Sequence, residues 1–467
     1  MAKHSNLQLS SKDENETLEI SVHKFGGSSL ASAELLKNAV EIIKNYTTVD
    51  DFIVVSANGD ITDWLIEYID GSETAIARIS QYYGELVTDL IEQPGDLLTA
   101  FSEDLKCIES SYQSEEAILS FGEVWSARLL TELLNQQQVS ALFTDARQLF
   151  RTESIDNYHD FDAGYFHRGL KRHQYGNFKK RLIITGFIAS NRAGQTVTLG
   201  RNGSDYSATL LAYFIRAKSV TLWTDVCGIY SADPRLIEQA TPIEHLSYEE
   251  ARALASVGTN VLHQKTIGPL QQGEIPLWVK SAFQPEKNGT EVGKALPESH
   301  WVSSVALKDK LIKLEISISN HEDRKQLCHE LFENHIVAIQ DESTAQADQL
   351  GLFVAQECLA KTVEFLVTRQ FTYKIFKTPR TLIAIIGNKV ALRKPLIDRF
   401  ESSLASRFDF RYLAKNSSHI IQIITNEPET SELLSNFYSI CHQSNIENIQ
   451  VDAGEVNEFD ITIGVYA

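Results

Sequence analysis

The sequence is poor in cysteine, in positive charge and in long apolar runs. Its five cysteines, Cys107, Cys227, Cys328, Cys358 and Cys441, include no CxxC pair. An odd number closes no disulfide framework, so reduced thiols of a cytosolic protein are the expected state. Lys and Arg total 43 against 62 Asp and Glu, a net charge of -19. A chain this acidic is not expected to bind nucleic acid or an anionic membrane through bulk electrostatics. Any phosphate site must then be a local cluster of donors. No apolar run approaches the roughly 20 residues of a membrane span. The stretch from Met1 to Thr17 lacks the apolar core of a signal peptide, and a cytoplasmic location is the expectation. Two phosphate-binding signatures are missing as well. There is no GxxxxGK[ST] loop, and no GxGxxG follows a strand.

What is present fits a multidomain globular chain. The 467 residues exceed one ordinary domain, and 43% are hydrophobic, enough for packed cores. Residues 1–17 read as a flexible tail. Leu18 to Phe25 reads as a strand, Gly26 to Ser29 as a turn, and Ala31 to Tyr46 as a helix. Phe52 to Ala57, Arg181 to Ala189 and Ser219 to Thr224 read as buried strands. Between the last two, Ala208, Leu211, Phe214 and Ile215 recur at helical spacing. Strands alternating with helices predict an α/β domain with a largely parallel sheet over residues 18–297. Two short βαβ-type units then follow over 298–445. The first has a strand Leu311 to Ile318, a helix Arg324 to Asn334 and a strand Leu352 to Ala355. The second has Leu382 to Ile386, a helix Pro395 to Ala405 and Ile420 to Thr425.

Three motifs carry chemistry. Lys24-Phe25-Gly26-Gly27-Ser28-Ser29 lies between a strand and a helix. Glycines there let backbone N–H groups approach an anion, and a helix N-terminus adds partial positive charge. Alone, the motif is equally a tight turn with a surface lysine. The second is Gly200-Arg201-Asn202-Gly203-Ser204-Asp205, again entering a helix. It reads as an anion-binding loop with Ser204 as N-cap and Arg201 able to hold a carboxylate in a fork. A structural turn is the plainer alternative. The third is Trp223-Thr224-Asp225-Val226-Cys227-Gly228-Ile229-Tyr230, followed by Asp233-Pro234-Arg235. An apolar strand opening into a glycine turn is a usual ligand position in α/β folds.

In this order, the three motifs resemble those of the aspartate kinases of the amino acid kinase superfamily. The resemblance covers about residues 20 to 290 and includes Val54-Val55-Ser56-Ala57, Thr62, the run Phe121 to Arg128, Asp145-Ala146-Arg147, Thr185-Gly186-Phe187 and Val261-Leu262-His263. FGEVWSARLL, LGRNGSDYSAT and GIYSADPR are similar to the kinase half of the bifunctional aspartokinase–homoserine dehydrogenases, the methionine-type enzyme in particular. The later units resemble paired ACT modules. The resemblance implies an amino acid kinase fold, an αβα sandwich, followed by two ACT-like modules. It implies transfer of the γ-phosphate of ATP to the side-chain carboxylate of L-aspartate, with Mg2+ arriving on the ATP rather than in a protein cage. Lys24 would neutralise the transferred phosphoryl group, and the Gly26 and Gly27 amides would cradle it. Thr62, Glu123 and Arg201 would hold aspartate, with Glu123 on the ammonium and Arg201 on the α-carboxylate. Ser56 and Asp205 would support that site. Thr224, Asp225, Tyr230 and Arg235 would bind ATP. The ACT-like modules imply a homodimer or a dimer of dimers.

The chain departs from the family pattern at Asp60 and Asp63, which add negative charge near the acceptor site, and at Asn260, where many members carry a lysine. The effector-loop positions read Ser319-Asn320-His321-Glu322 and Gly387-Asn388-Lys389, and the strand motif reads Ser417-Ser418-His419. ACT units kept for dimerisation compete here with amino-acid feedback. Residues 446–467 end in an apolar run from Asp460 to Ala467. That run reads as a remnant of a dehydrogenase first strand or as a closing strand of the first ACT unit. Rival readings of the chain are a kinase for glutamate or acetylglutamate and a catalytically dead regulatory partner. The retained Lys24, Glu123, Arg201, Asp205 and Asp225 favour the aspartate kinase reading.

Overall fold

The computed structural model describes residues 19–446 apart from 111–112, 156, 174–179, 259–261, 297–301, 320, 334–335, 342–347, 414–416, 427 and 429–430. The tail, Asn260 and the apolar run from Asp460 to Ala467 therefore lie outside the described residues. The first part of the chain runs β1 (Ser21–Phe25), α1 (Ala33–Tyr46), β2 (Phe52–Val55), α2 (Ile61–Ile69), α3 (Ala75–Leu90), α4 (Gly95–Glu109), α5 (Glu115–Gln136) and β3 (Ala141–Thr144). It continues with α6 (Ala163–Arg172), β4 (Arg181–Thr185), the hairpin β5 (Ile188–Ser190) and β6 (Thr196–Thr198), α7 (Gly203–Ile215) and β7 (Ser219–Thr224). It closes with β8 (His245–Ser247), α8 (Tyr248–Ser256), α9 (Gln264–Gly273), β9 (Leu277–Ser281) and β10 (Thr290–Gly293).

Eight of these strands form one sheet in the order β3-β4-β2-β1-β7-β9-β10-β8. It is parallel from β3 to β9, and β10 runs antiparallel to β9. All four residues of β2 are fully buried, as a parallel sheet covered on both faces requires. Phe52 and Val54 join the core that includes Leu210 and Leu211 of α7 and Ile267 of α9. Ile53 and Val55 join the opposite core with Ile43 of α1, Leu86 of α3 and Leu130 of α5. This is the αβα sandwich expected from the sequence. The chain moves from β1 to β2 on one side and returns at β7 on the other. The C-terminal end of β1 is therefore a topological switch point.

The second part runs β11 (Ser304–Ser317), α10 (His321–Glu333), β12 (Ala338–Asp341), β13 (Gln349–Ala355), α11 (Leu359–Thr368), β14 (Tyr373–Ile386), α12 (Lys394–Leu404), β15 (Phe410–Tyr412), β16 (Ile420–Thr425) and α13 (Ser431–Ile446). Its strands form one antiparallel sheet in the order β12-β13-β11-β14-β16-β15. The expectation of two consecutive βαβ units needs correction, because β11 and β14 each serve both ACT-like modules. Leu311 to Ser317 pairs with β13, while Ser304 to Lys308 pairs with Ile386 to Leu382, which in turn pairs with β16. The second module thus takes a strand from ahead of the first. The register shifts between Lys308 and Lys313, where Lys310 is left-handed at φ 51°. The extra residues bend the strand and divide its pairing between the modules.

In the structure Leu434 and Phe437 of α13 pack with Leu396 and Phe400 of α12 and with Ile383, Ile385, Ile421 and Ile423 of the second module. The other face of the second module meets the kinase domain. Leu382, Ala384, Ile386, Ile420 and Ile424 share a core with Ala251, Leu254 and Ala255 of α8. The strand periodicity of two sends alternate side chains to these two environments.

Candidate active site

β1, β2 and β7 end side by side, with Phe25 opposite both Val55 and Trp223. Lys24 therefore lies at the switch point with a turn on either side. Its Nζ sits 2.6 Å from Oδ1 of Asp205, and both side chains are largely buried, at 13% and 10% exposure. Asp205 is in the first turn of α7, where a carboxylate is favoured by the unpaired helix N–H groups. Ser204 was expected to cap this helix. The structure instead places left-handed Asn202, φ 53°, at that position and Ser204 inside the first turn. Asn tolerates the left-handed region better than most residues. Ser204 packs on Gly186, where a Cβ would come within 2.6 Å of the serine Cβ.

Gly26 and Gly27 follow Phe25 at the end of β1 and enter a short 3-10 turn, Gly27–Leu30. A Cβ on Gly27 would meet the Ala57 carbonyl at 2.9 Å, so the turn after β2 depends on that glycine for its close approach. Ser56 N–H donates to Phe25 O at 3.1 Å, which seats the residue beside the glycine turn. Ala57 N–H donates to Oε1 of Glu123 on α5 at 3.3 Å. Gly122 permits that contact, because a Cβ there would fall 2.8 Å from the Ala57 methyl. Glu123 is buried, and Oε2 has no hydrogen-bond partner among the described residues. Burial pushes its carboxyl up to about 8, against a smaller opposing pull from the Ala57 amide and the Lys24 charge. A buried polar atom left open in this way is a candidate contact for a bound donor. Thr62 lies in the first turn of α2, beside Ile61, which packs on Gly122.

The remaining sequence-derived residues are more dispersed. Arg201 is exposed, has no hydrogen-bond or ion-pair partner among the described residues, and lines a cavity of about 450 Å3. The opposite wall of that cavity is the first ACT-like module, including Leu311, Ile336 and Glu357. Thr224 ends β7, and its hydroxyl donates to Oδ1 of the exposed Asp225 at 2.9 Å. The Tyr230 carbonyl accepts from the Ser304 hydroxyl at 3.2 Å, so its backbone is tied to the second module. Arg235 is folded back on Asp233 in a fork of 3.0 and 2.6 Å. Asp233 is held below the usual carboxylate range by that guanidinium. Motif reading missed Asn58 and Tyr82, which tie the turns after β1 and β2 together. A buried asparagine at 58 carries no periodic signal, and Tyr82 reads as one more apolar position of α3.

An αβα sandwich with a lysine, a helix N-terminus and glycine amides at its switch point defines an α/β fold with its ligand cleft at the strand ends, suited to an anion. Residues 19–281 match the amino acid kinase family, and the chain belongs to it. The chain is similar to bifunctional aspartokinase/homoserine dehydrogenase 2 of Escherichia coli, 35% identical over 319 residues, which cover 65% of this chain and 39% of that protein. It is 38% identical over 277 residues to an aspartokinase of Chlamydia pneumoniae, covering 58% of this chain and 62% of the other. The chain thus spans less than two thirds of the length of these curated relatives. In fold it is similar to Escherichia coli aspartokinase III, solved with aspartate and ADP. That match has a TM-score of 0.73 at 24% identity and covers 92% of this chain and 100% of the other.

Proposed function

We propose that the protein is an aspartate kinase that transfers the γ-phosphate of ATP to the side-chain carboxylate of L-aspartate, giving 4-phospho-L-aspartate. This would be a first step toward lysine, threonine and methionine. The observation that carries the reading is the buried Glu123, whose open Oε2 lies one residue from the tightly packed Gly122 contact and within the field of Lys24. An ammonium with three donors suits such an acceptor, and a neutral substrate would leave it unpaired. Similarity to two aspartokinase-named relatives at 35% and 38% identity supports the same substrate class.

In this reading the attacking carboxylate is already ionised at neutral pH, since free aspartate has a pKa of about 3.9. No general base is needed, and the protein supplies position and charge neutralisation. Lys24 draws charge from the transferred phosphoryl oxygens, and Asp205 fixes its ammonium. The Gly26 and Gly27 amides line the same turn. Ser56 and Thr62 flank the acceptor, Glu123 takes its ammonium, and Arg201 takes its α-carboxylate. Thr224, Asp225, Tyr230 and Arg235 serve the nucleotide. Mg2+ carried on ATP supplies further neutralisation when bound. The exposed Asp225 carboxylate is an oxygen donor of the type that ion prefers. The ACT-like modules would join two copies into a homodimer in the cytoplasm.

The test is a hydroxamate assay for acyl phosphate with ATP and Mg2+, run with aspartate, glutamate and acetylglutamate in parallel. Aspartate-dependent hydroxamate is expected. Product with glutamate or acetylglutamate alone would move the assignment to another carboxylate kinase.

A further inference from the structure

Two hydrogen bonds tie the turn after β2 to the turn after β1, and a third reaches the same β1 turn from α3. Gly59 N–H donates to Gly27 O at 3.1 Å. Asn58 Nδ2 donates to Leu30 O at 3.0 Å. Tyr82 Oη, reaching over from α3, donates to Ala31 O at 2.8 Å. The fit is tight at both ends. A Cβ on Gly27 would meet Ala57 O at 2.9 Å, and one on left-handed Gly59 would meet Tyr82 Oη at 2.6 Å. The first turn is already closed by its own bond, from Ser29 N–H to Gly26 O at 3.0 Å. The side chains of Asn58 and Tyr82 are therefore not needed to form it; they set its distance from its neighbour.

Asn58 is fully buried, and its Oδ1 has no partner among the described residues. A buried acceptor left unpaired lowers stability. A residue that only filled this space would be apolar and would avoid that cost. Tyr82 is held as a donor at every working pH, because burial and the Asp60 carboxylate push its phenol up to about 12.

We propose that Asn58 and Tyr82 are positioning residues for phosphoryl transfer, fixing the spacing between the turn that cradles the phosphoryl group and the turn that flanks the acceptor. The inference rests on the kinase reading above, in which Gly26 and Gly27 serve one substrate and Ser56 and Thr62 the other. Neither side chain touches a substrate in this account. Their effect runs through distance, since in-line transfer needs reacting atoms about 3–3.5 Å apart and a 1 Å misplacement costs about 10²-fold in rate.

The experiment is steady-state kinetics on wild type, Tyr82→Phe, Asn58→Ala and the double variant, with thermal unfolding of each. Each single change should lower kcat by about tenfold or more, with the KM for ATP and for aspartate staying within about twofold. The double variant should lose less than the product of the two, because both side chains control one spacing. Tyr82→Phe removes a single hydroxyl, so it carries the test if Asn58→Ala fails to fold. An unchanged kcat in Tyr82→Phe overturns the inference, as does a loss that appears equally in KM. Losses that merely follow a falling Tm across the four proteins would also overturn it. If wild type forms no aspartyl hydroxamate, the kinase reading itself fails and takes this inference with it. Active wild type with unaltered variants rejects the inference alone.

Discussion

Lys24 and Asp205 meet at 2.6 Å where the end of β1 faces the N-terminus of α7. The contact holds an ammonium in place before any substrate arrives, so its charge needs little reorganisation when negative charge develops. Lys24→Ala should therefore lower kcat by about 10²- to 10³-fold with little change in the KM for aspartate. Arg201→Ala should do the reverse and raise that KM, because in the proposed reading it meets a carboxylate already charged in the ground state. Initial-rate kinetics on both variants checks the split, and an inverted pattern would exchange the two roles.

Glu123 sets the pH response. Its carboxyl, held at about 8 by burial, is mostly protonated in the free protein at neutral pH, and in the proposed reading it ionises to receive the substrate ammonium. The kcat/KM for aspartate should thus rise with pH, pass half its plateau near that value and level off above it. For folding the sign is opposite. The folded value lies above the ordinary 4.5, so this contribution to stability is complete below that ordinary value and is lost as pH rises through the folded one. Glu123→Gln should abolish the kinetic inflection and flatten the matching part of a Tm-against-pH profile. A wild-type profile without an inflection in this range would contradict the assigned environment.

Asp341 and Arg411 join opposite ends of the antiparallel sheet. β12 and β15 are its two edge strands, yet Arg411 donates to both oxygens of Asp341, at 2.9 and 2.7 Å. Lys313 adds a contact of 3.2 Å to the same fully buried carboxylate. Arg411→Ala should cost about 1–3 kcal/mol, since Lys313 still opposes the charge left behind. Chemical denaturation measures this. A loss below a few tenths of a kcal/mol would show that the bridge does not hold the modules together.

Lysine and threonine are expected to inhibit weakly or not at all. β11 ends at Ser317 and α10 begins at His321, so the connection carries Ser319 rather than a glycine-rich loop. The homodimer should form all the same. Activity titrations with each amino acid and sedimentation velocity test the two statements separately. Saturable inhibition at low concentration would restore an effector role to these modules.

The sequence by itself determined the parts whose physics is local. Apolar runs such as Phe52 to Val55 mark strands buried on both faces, and Gly26-Gly27 after Lys24 marks a turn into which backbone can press closely. From these alone the parallel α/β domain, its switch-point lysine and the later α+β region were legible. Tertiary structure decided what depends on partners distant in the chain. That Ser304 to Lys308 completes the second module is a matter of strand pairing, which follows burial across the sheet rather than any propensity within the segment. The same holds for Asn58 and Tyr82, whose importance lies in carbonyl oxygens of another turn. Only packing could show that Arg235 is held by Asp233 while Arg201 faces the neighbouring module. A residue's type records which bonds it is able to make, and the fold selects which of them are made.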